Sequence, residues 1–196
     1  MTAMRRWVLG LMVGVASGLG GSTANAEPES VGVEVAAGAG VTVPFGALTS
    51  QSTVAGLGYA FAPGVPLSVD AGLHIGRVYF GTAFQYSLLF GCCGANDLQL
   101  TAEGRYYLNP EARWAPWVGV GFGIEIANAS GYQYEGYSVG ARVGVDFRST
   151  PADSLRFGPF ASASFGEFTC ESDQPGSCGL HAWATIGLRG VWDAVR

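Results

Sequence analysis

The chain has 196 residues, 13% of them charged, and its 10 basic residues, all arginine, are set against 15 acidic ones for a net charge of −5. A soluble domain typically carries about 25% charged residues, so charge is scarce here. An acidic chain without lysine lacks the cationic surface that nucleic-acid binding requires. The 11 Phe, 8 Tyr and 5 Trp argue against disorder, and the length fits one domain.

The N-terminus has the features of an export signal. Arg5 and Arg6 precede an uncharged apolar stretch, and a small-x-small motif follows at 24–26, which is the pattern of a secretory signal. We predict that residues 1–26 are a cleaved signal peptide and that 27–196 form one mature domain. Loss of two of the 10 arginines leaves this domain with a net charge of −7. The general secretion route is favoured over twin-arginine export, which the arginine pair also permits.

Four cysteines lie outside the predicted signal, at Cys92, Cys93, Cys170 and Cys178. An even number of cysteines in an exported chain favours disulfides, so we predict that all four are disulfide-bonded. Three connectivities are possible, and the sequence does not select one. A metal site is the alternative, but the C-x-x-C spacing typical of zinc sites is absent. We therefore predict no metal.

Apolar side chains recur at every second position through most of the mature chain. From Val31 to Val43 the odd positions are all Val or Ala, whereas the even positions are Gly, Ala, Thr and Glu34. Because successive side chains of a strand point to opposite faces, this pattern indicates a two-faced strand. Eight segments of about ten residues, the length of a tilted membrane-spanning strand, follow the pattern: 31–43, 67–75, 78–88, 98–107, 118–126, 137–147, 159–168 and 180–192.

The ionisable residues within these segments fall almost entirely on the face that is rich in glycine. They are Glu34, Asp70, His74, Glu103, Arg105, Glu125, Arg142, Asp146, His181 and Arg189. This face has too few charges for a good water-facing exterior, but it suits the lumen of a narrow barrel, while the dense apolar face suits lipid. We predict an all-β fold, an eight-stranded antiparallel up-and-down transmembrane β-barrel. A soluble periplasmic barrel, with the faces reversed, is the alternative.

The connections between the predicted strands alternate between two ends of the barrel. With a periplasmic N-terminus, the inward connections lie near Gly76-Arg77 and at 109–116 and 149–158. The outward connections, which contain all four cysteines, lie at 44–66, 91–97, 128–135 and 169–179. Aromatic residues near strand ends are predicted to form the interfacial girdles of a membrane barrel: Tyr59, Phe61, Trp114, Trp117, Tyr132, Tyr134, Tyr137 and Trp192.

In these features the chain resembles the small bacterial outer-membrane β-barrels of the OmpA-transmembrane-domain and OmpX type. The resemblance rests on the signal, the eight alternating segments and the segment 185–192, which is similar to the C-terminal signal read by the barrel-insertion machinery. It implies location in the cell outer membrane, contact with membrane lipid and lipopolysaccharide, and insertion by that machinery. We expect a monomer without cofactor or nucleic-acid partner.

The small diameter of the predicted barrel bears on its function. Eight strands enclose an interior just wide enough for side chains to fill, so we predict a lumen closed by ion pairs and a structural or surface-interaction role. Two alternatives remain: a conduit for small solutes or hydrophobic ligands with the 44–66 connection as its lid, and a lipid-modifying enzyme, since barrels of this size include such enzymes. We predict no enzyme, because neither His74 nor His181 adjoins a serine motif, and covalent catalysis needs a base beside a nucleophile.

Overall fold

The fold consists of eight β-strands joined end to end. The computed structural model describes residues 31–46, 62–90, 94–129, 132–150, 154–168 and 180–193. Within these ranges no helix has the length and hydrophobicity needed to cross a membrane. The strands are β1 (Val31–Gly46), β2 (Gly64–Ile75), β3 (Val78–Leu89), β4 (Asn96–Tyr107), β5 (Trp114–Ala129), β6 (Tyr132–Phe147), β7 (Leu155–Phe168) and β8 (Leu180–Asp193).

Every strand pairs antiparallel with its neighbours in the sequence, and β8 pairs with β1 to close the sheet. The predicted all-β, eight-stranded up-and-down barrel is therefore confirmed. Following the paired residues once around the barrel from Val35 leads to Phe45, ten residues further along the same strand. Such a stagger accompanies strands tilted by about 35–45° from the barrel axis. The lumen is accordingly narrow, and side chains from opposite strands meet across it.

Along the barrel wall, apolar side chains face outward and charged side chains face the lumen. Val33, Val143 and Ile186 lie on the outer surface, with 38%, 52% and 67% of their area exposed. Glu103 is buried inside the barrel, and Arg142 also points into the lumen, where it lines the central cavity. In the described strands, apolar side chains thus cover the outside of the barrel and charged ones lie on its inside.

Several strands are longer than the sequence pattern predicted. β5 begins at Trp114 and β7 at Leu155, so the predicted connections 109–116 and 149–158 were too long. Pro116 lay in the first of these connections, and Pro159 began the predicted seventh strand. Both are paired within strands, although proline cannot donate to a strand ladder. The same correction extends the loop-side ends of β1, β2, β4, β5 and β6 into the predicted connections 44–66, 91–97 and 128–135.

The turn between β2 and β3 agrees with its prediction. Ile75 pairs with Val78, and Gly76 and Arg77 form a two-residue turn. Gly76 has a φ of 58°, a left-handed conformation that glycine adopts without steric cost. This end of the barrel, where β1 begins and β8 ends, is called the terminal end below. The opposite end is called the loop end.

The packing of Trp117 inside the barrel predicts a penalty for enlarging one glycine. A Cβ atom added to Gly144 would lie 2.5 Å from the Trp117 ring and 2.8 Å from the carbonyl oxygen of Pro159. We expect Gly144→Ala to lower the free energy of unfolding by about 1–3 kcal/mol, as overpacking does, measured by urea titration of the refolded barrel. Gly190→Ala, whose added Cβ would meet no atom within 4 Å, is the matched control. Equal stability of the two variants would contradict the packing described here.

Candidate functional site: a charged and sealed lumen

The ten ionisable residues singled out in the sequence all lie on strands at inward-facing positions. The structure places nine of them, all but His74, in two groups at the two ends of the lumen. The first, called the terminal network, contains Glu34, Asp70, Glu103, Arg105, Arg142, Asp146, Arg156, Arg189 and Asp193. The second, called the loop-end cluster, contains Asp97, Gln99, Glu125, His181 and Trp183.

Arg105 of β4 forms one centre of the terminal network. Its Nη1 atom lies 2.9 Å from Glu34 Oε1, its Nη2 atom lies 2.6 Å from Asp70 Oδ1, and its Nε donates to Glu103. The guanidinium also lies 4.3 Å from the centre of the Tyr79 ring. Arg105 therefore has three carboxylate partners and an aromatic face, and the planar fork of arginine suits such multiple pairing.

Glu34 of β1 is completely buried, and three side chains donate hydrogen bonds to it. They are Arg105, the Tyr107 hydroxyl at 2.9 and 3.0 Å, and Arg156 Nη2 at 2.7 Å. The same Arg156 nitrogen also lies 2.6 Å from Asp193 Oδ1. This single carboxylate thus links β1 to β4 and to β7, neither of which is paired with β1 in the sheet.

Asp146 of β6 is the third centre and is held mainly by Arg189. The Nε and Nη2 atoms of Arg189 donate to the two oxygens of Asp146 at 3.0 and 2.6 Å, a bidentate arrangement. The Trp117 indole donates to the same carboxylate at 3.1 Å, and the Arg189 guanidinium lies 4.0 Å from the Trp117 ring centre. Bidentate, charge-assisted bonds of this kind are strong and fix geometry.

The terminal network is nearly balanced in charge, with five carboxylates and four guanidinium groups. Burial of an ion costs several kcal/mol unless a partner and hydrogen bonds offset the loss of water. Each of these groups has at least one opposite charge within 3.5 Å. The paired side chains lie across this end of the lumen.

His74 lies at the terminal end but takes no part in the ion pairs. Its ring packs edge-on against Tyr107, with 5.3 Å between ring centres. Its Nε2 atom is buried and has no hydrogen-bond partner among the described residues. The structure therefore places His74 in the lumen beside the network without connecting it to the acidic groups.

Glu125 and His181 pair at the loop end, away from the arginines. Glu125 accepts from the Trp183 indole at 2.8 Å and lies 3.0 Å from His181 Nε2. The Phe168 ring stacks on His181, with 4.0 Å between ring centres and 10° between planes. A buried apolar cap covers this level of the lumen and is formed by Leu89, Ala95, Ala127, Ala129, Tyr134, Phe168 and Trp183.

A small polar cavity separates the two ends of the lumen. Its volume is about 30 Å³, which is room for one or two water molecules. The Arg142–Glu103 pair, 3.0 Å apart, forms part of its wall. The remaining lining is largely uncharged and includes Gln85, Thr101, Ser138, Ser162, Ser164 and Thr185. Along the lumen, this cavity lies between the terminal network and the apolar cap.

The sequence analysis did not assign several residues of the two groups to the lumen. Arg156 and Asp97 fell in the predicted connections 149–158 and 91–97, although the structure has both on strands with buried side chains. Leu155 and Phe157, apolar on either side of Arg156, were the available signal. Asp193 follows the predicted last strand and was likewise missed.

Two predicted girdle aromatics point into the lumen instead. Trp117 is 1% exposed and Tyr134 is 5% exposed, so their assignment to the outer surface was wrong. Each lies at a position that faces inward in the period-two pattern. The prediction relied on their closeness to a strand end and not on this alternation. Trp114, Tyr137 and Trp192 do lie on the outer surface.

The predicted disulfides and signal peptide lie outside the described residues. Residues 1–30, Cys92, Cys93, Cys170 and Cys178 belong to the segments not described. Within the described part of the chain, no three His, Cys, Asp or Glu side chains are grouped so as to hold a metal ion.

The barrel is similar to several solved bacterial structures. Neisserial surface protein A matches with a TM-score of 0.62 and 14% sequence identity, over 84% of this chain and 99% of that one. The N-terminal β-barrel domain of Pseudomonas aeruginosa OprF has a TM-score of 0.43, 15% identity and coverage of 82% and 97%. Ail, the attachment invasion locus protein of Yersinia pestis, has a TM-score of 0.34, 10% identity and coverage of 85% and 100%.

The similarity to solved structures is one of fold. No protein-family model and no curated protein matches the chain. The predicted resemblance to small eight-stranded bacterial barrels is confirmed at the level of the fold by the match to Neisserial surface protein A.

The terminal network predicts a large effect of removing Arg156. Arg156→Met would leave Glu34 and Asp193 with fewer opposite charges inside the barrel. Breaking one partner of a buried pair typically costs about 3–5 kcal/mol, and we expect this loss in the free energy of unfolding from urea titration. Arg77→Met, at an exposed turn, is the control and should change stability by no more than about 0.5 kcal/mol. A similar result for both variants would refute the structural role of the network.

Proposed function

We propose that this protein is an integral outer-membrane β-barrel with a closed lumen and a structural or surface-interaction role. The observation that carries the proposal is the inside-out distribution of side chains, with apolar residues around the outer wall and charges sealed within. The similarity of fold to Neisserial surface protein A supports the proposal. Membrane lipid and lipopolysaccharide are the proposed partners, and the barrel-insertion machinery is the proposed route into the membrane.

The outer wall is too apolar for a surface in contact with water. Val120, Ile186 and Leu188 are 66%, 67% and 66% exposed. Soluble monomers rarely expose a contiguous apolar patch larger than about 300–600 Å², whereas this surface extends around all eight strands. A closed barrel also leaves no unpaired strand edge, a condition that hydrocarbon imposes on any spanning structure.

The ends of the apolar surface support the same interpretation. At the terminal end, exposed Trp114 and Trp192 and the neighbouring Phe147 are aromatic, as expected at a membrane–water interface. At the loop end the outer face becomes polar on β4 to β7. The outward side chains there are Asn96, Asn128, Gln133, Glu135 and Glu167.

The filled interior supports a closed barrel in preference to a conduit. The terminal network occupies one end and the apolar cap the other, with a cavity of about 30 Å³ between them. The lid predicted for a conduit, 44–66, lies largely outside the described residues. We assign no chemistry to the Glu125–His181 pair, because both side chains are buried and enzyme action needs access for a substrate.

Placing a charge on the outer wall tests the membrane proposal. We expect Val120→Arg to lower the stability of the barrel in lipid vesicles by about 2–4 kcal/mol, the cost of arginine near the bilayer midplane. Gln133→Arg, on the polar part of the outer face, is the matched control and should fold as the wild type does. Urea titration in vesicles, with heat-modifiable gel mobility as the sign of folding, gives the comparison. Equal tolerance of both arginines would count against a membrane-spanning wall.

Conductance and fractionation test the closed state and the location. The refolded barrel in a planar bilayer should give no reproducible current steps, because ion pairs and apolar side chains fill the lumen. Discrete, reproducible openings would favour the conduit instead. In cells the protein should remain with the outer-membrane fraction until detergent is added, and release by buffer alone would favour the soluble periplasmic barrel.

A further inference from the structure

The acidic groups at the two ends of the lumen have different partners. In the terminal network, each of the five carboxylates contacts an arginine. At the loop end, Asp97 and Glu125 are 1% and 0% exposed, and none of the arginines of the terminal network contacts them. The basic group in contact with this pair among the described residues is His181, 3.0 Å from Glu125.

Asp97 and Glu125 face each other across neighbouring strands. Asp97 pairs in register with Ala127, and Gln99 with Glu125, so the two carboxyl groups are diagonal neighbours on the inner face. The side chains of diagonal neighbours on one face of a sheet can reach each other. Gln99 Nε2 donates to Asp97 Oδ2 at 2.9 Å. The other oxygen, Asp97 Oδ1, is buried and has no hydrogen-bond partner among the described residues.

The histidine cannot neutralise both carboxylates. A protonated imidazole has an N–H at each ring nitrogen, and each requires an acceptor when buried. His181 Nε2 has Glu125, but His181 Nδ1 is buried without a partner in the described part of the chain.

We propose that the Asp97–Glu125 pair is a proton-binding site, in which Asp97 is a neutral carboxylic acid whose Oδ1–H donates to an ionised Glu125. Two carboxylates this close, without a cation, cannot both be ionised in a buried site. The bound proton converts repulsion into a hydrogen bond between β4 and β5. Glu125 then accepts from Asp97, Trp183 and His181, within the capacity of a carboxylate.

Among the described residues that face the pair, the other charged groups are already paired with each other, so the proposed counter-ion is the proton. Facing it are Tyr134 from β6, Phe168 from β7 and, towards the middle of the lumen, the mutually paired Glu103 and Arg142. The inner faces of β1 and β3 contribute the uncharged Thr42, Ser87 and Leu89 at this end, and β2 contributes Gly64 and Pro66. Loss of the proton would place a second negative charge beneath the apolar cap, so alkaline pH should loosen the loop end while leaving the terminal network intact.

This inference goes beyond the proposed function, since it concerns the loop-end cluster whether or not the barrel conducts. The direct test is the carbon-13 NMR spectrum of the aspartate carboxyl groups in the refolded, full-length mature barrel. We expect Asp97 to have the chemical shift of a carboxylic acid near neutral pH and to move to that of a carboxylate only at alkaline pH. Asp146, paired with Arg189, is the internal control and should already be a carboxylate. Loss of one signal in Asp97→Asn assigns the resonance.

A pair of variants gives a second readout. Asn resembles a neutral carboxylic acid in size, so Asp97→Asn should fold and should lose the extra fall in urea midpoint that the wild type undergoes between neutral and alkaline pH. Glu125→Gln, which also leaves one carboxyl group, should lose the same pH dependence even if it is less stable. A carboxylate shift for Asp97 near neutral pH would overturn the proposal. So would a carboxyl resonance that responds to Ca²⁺ or a chelator, since the pair would then bind a metal.

Discussion

The structure depends on one constraint, which is that charges facing a narrow closed lumen must find their counter-charges inside it. Eight strands with apolar outer faces leave no water-facing wall for Glu34, Arg105 or Asp146. Burial of such ions is costly unless they are paired. Glu34 accepts hydrogen bonds from Arg105, Tyr107 and Arg156. These bonds offset the free energy lost on burying the carboxylate, and they also connect strands that are not paired with each other. The network therefore links strands across the inside of the barrel.

Large side chains fit inside the barrel because glycines lie beside them. A Cβ at Gly119 would lie 3.0 Å from the Arg105 side chain, and one at Gly144 would lie 2.5 Å from the Trp117 ring. Arginine and tryptophan thus occupy space that neighbouring positions leave empty. The glycine-rich inner face and the buried ions are two parts of one solution, since a lumen this narrow cannot hold bulky side chains at every inward position.

The acidic groups at the two ends of the lumen have different partners. Guanidinium groups bind the acids at the terminal end, whereas indole, imidazole and an apolar cap surround Glu125 at the loop end. The difference follows from where the arginines of the network occur, on the terminal halves of β4, β6, β7 and β8. The proton proposed on Asp97 serves at the loop end as these arginines serve at the terminal end.

The sequence by itself determined the number of strands, the direction in which each face points and the inward position of residues such as Glu103 and Arg189, because period-two alternation is a local property. It did not determine where β7 begins, since prolines and polar residues hid the alternation around Arg156. Nor did it determine the partners of any charge. Glu34 and Arg156 are 122 residues apart, and their contact exists only because closure of β8 on β1, with a stagger of ten residues, brings distant strands face to face across the lumen.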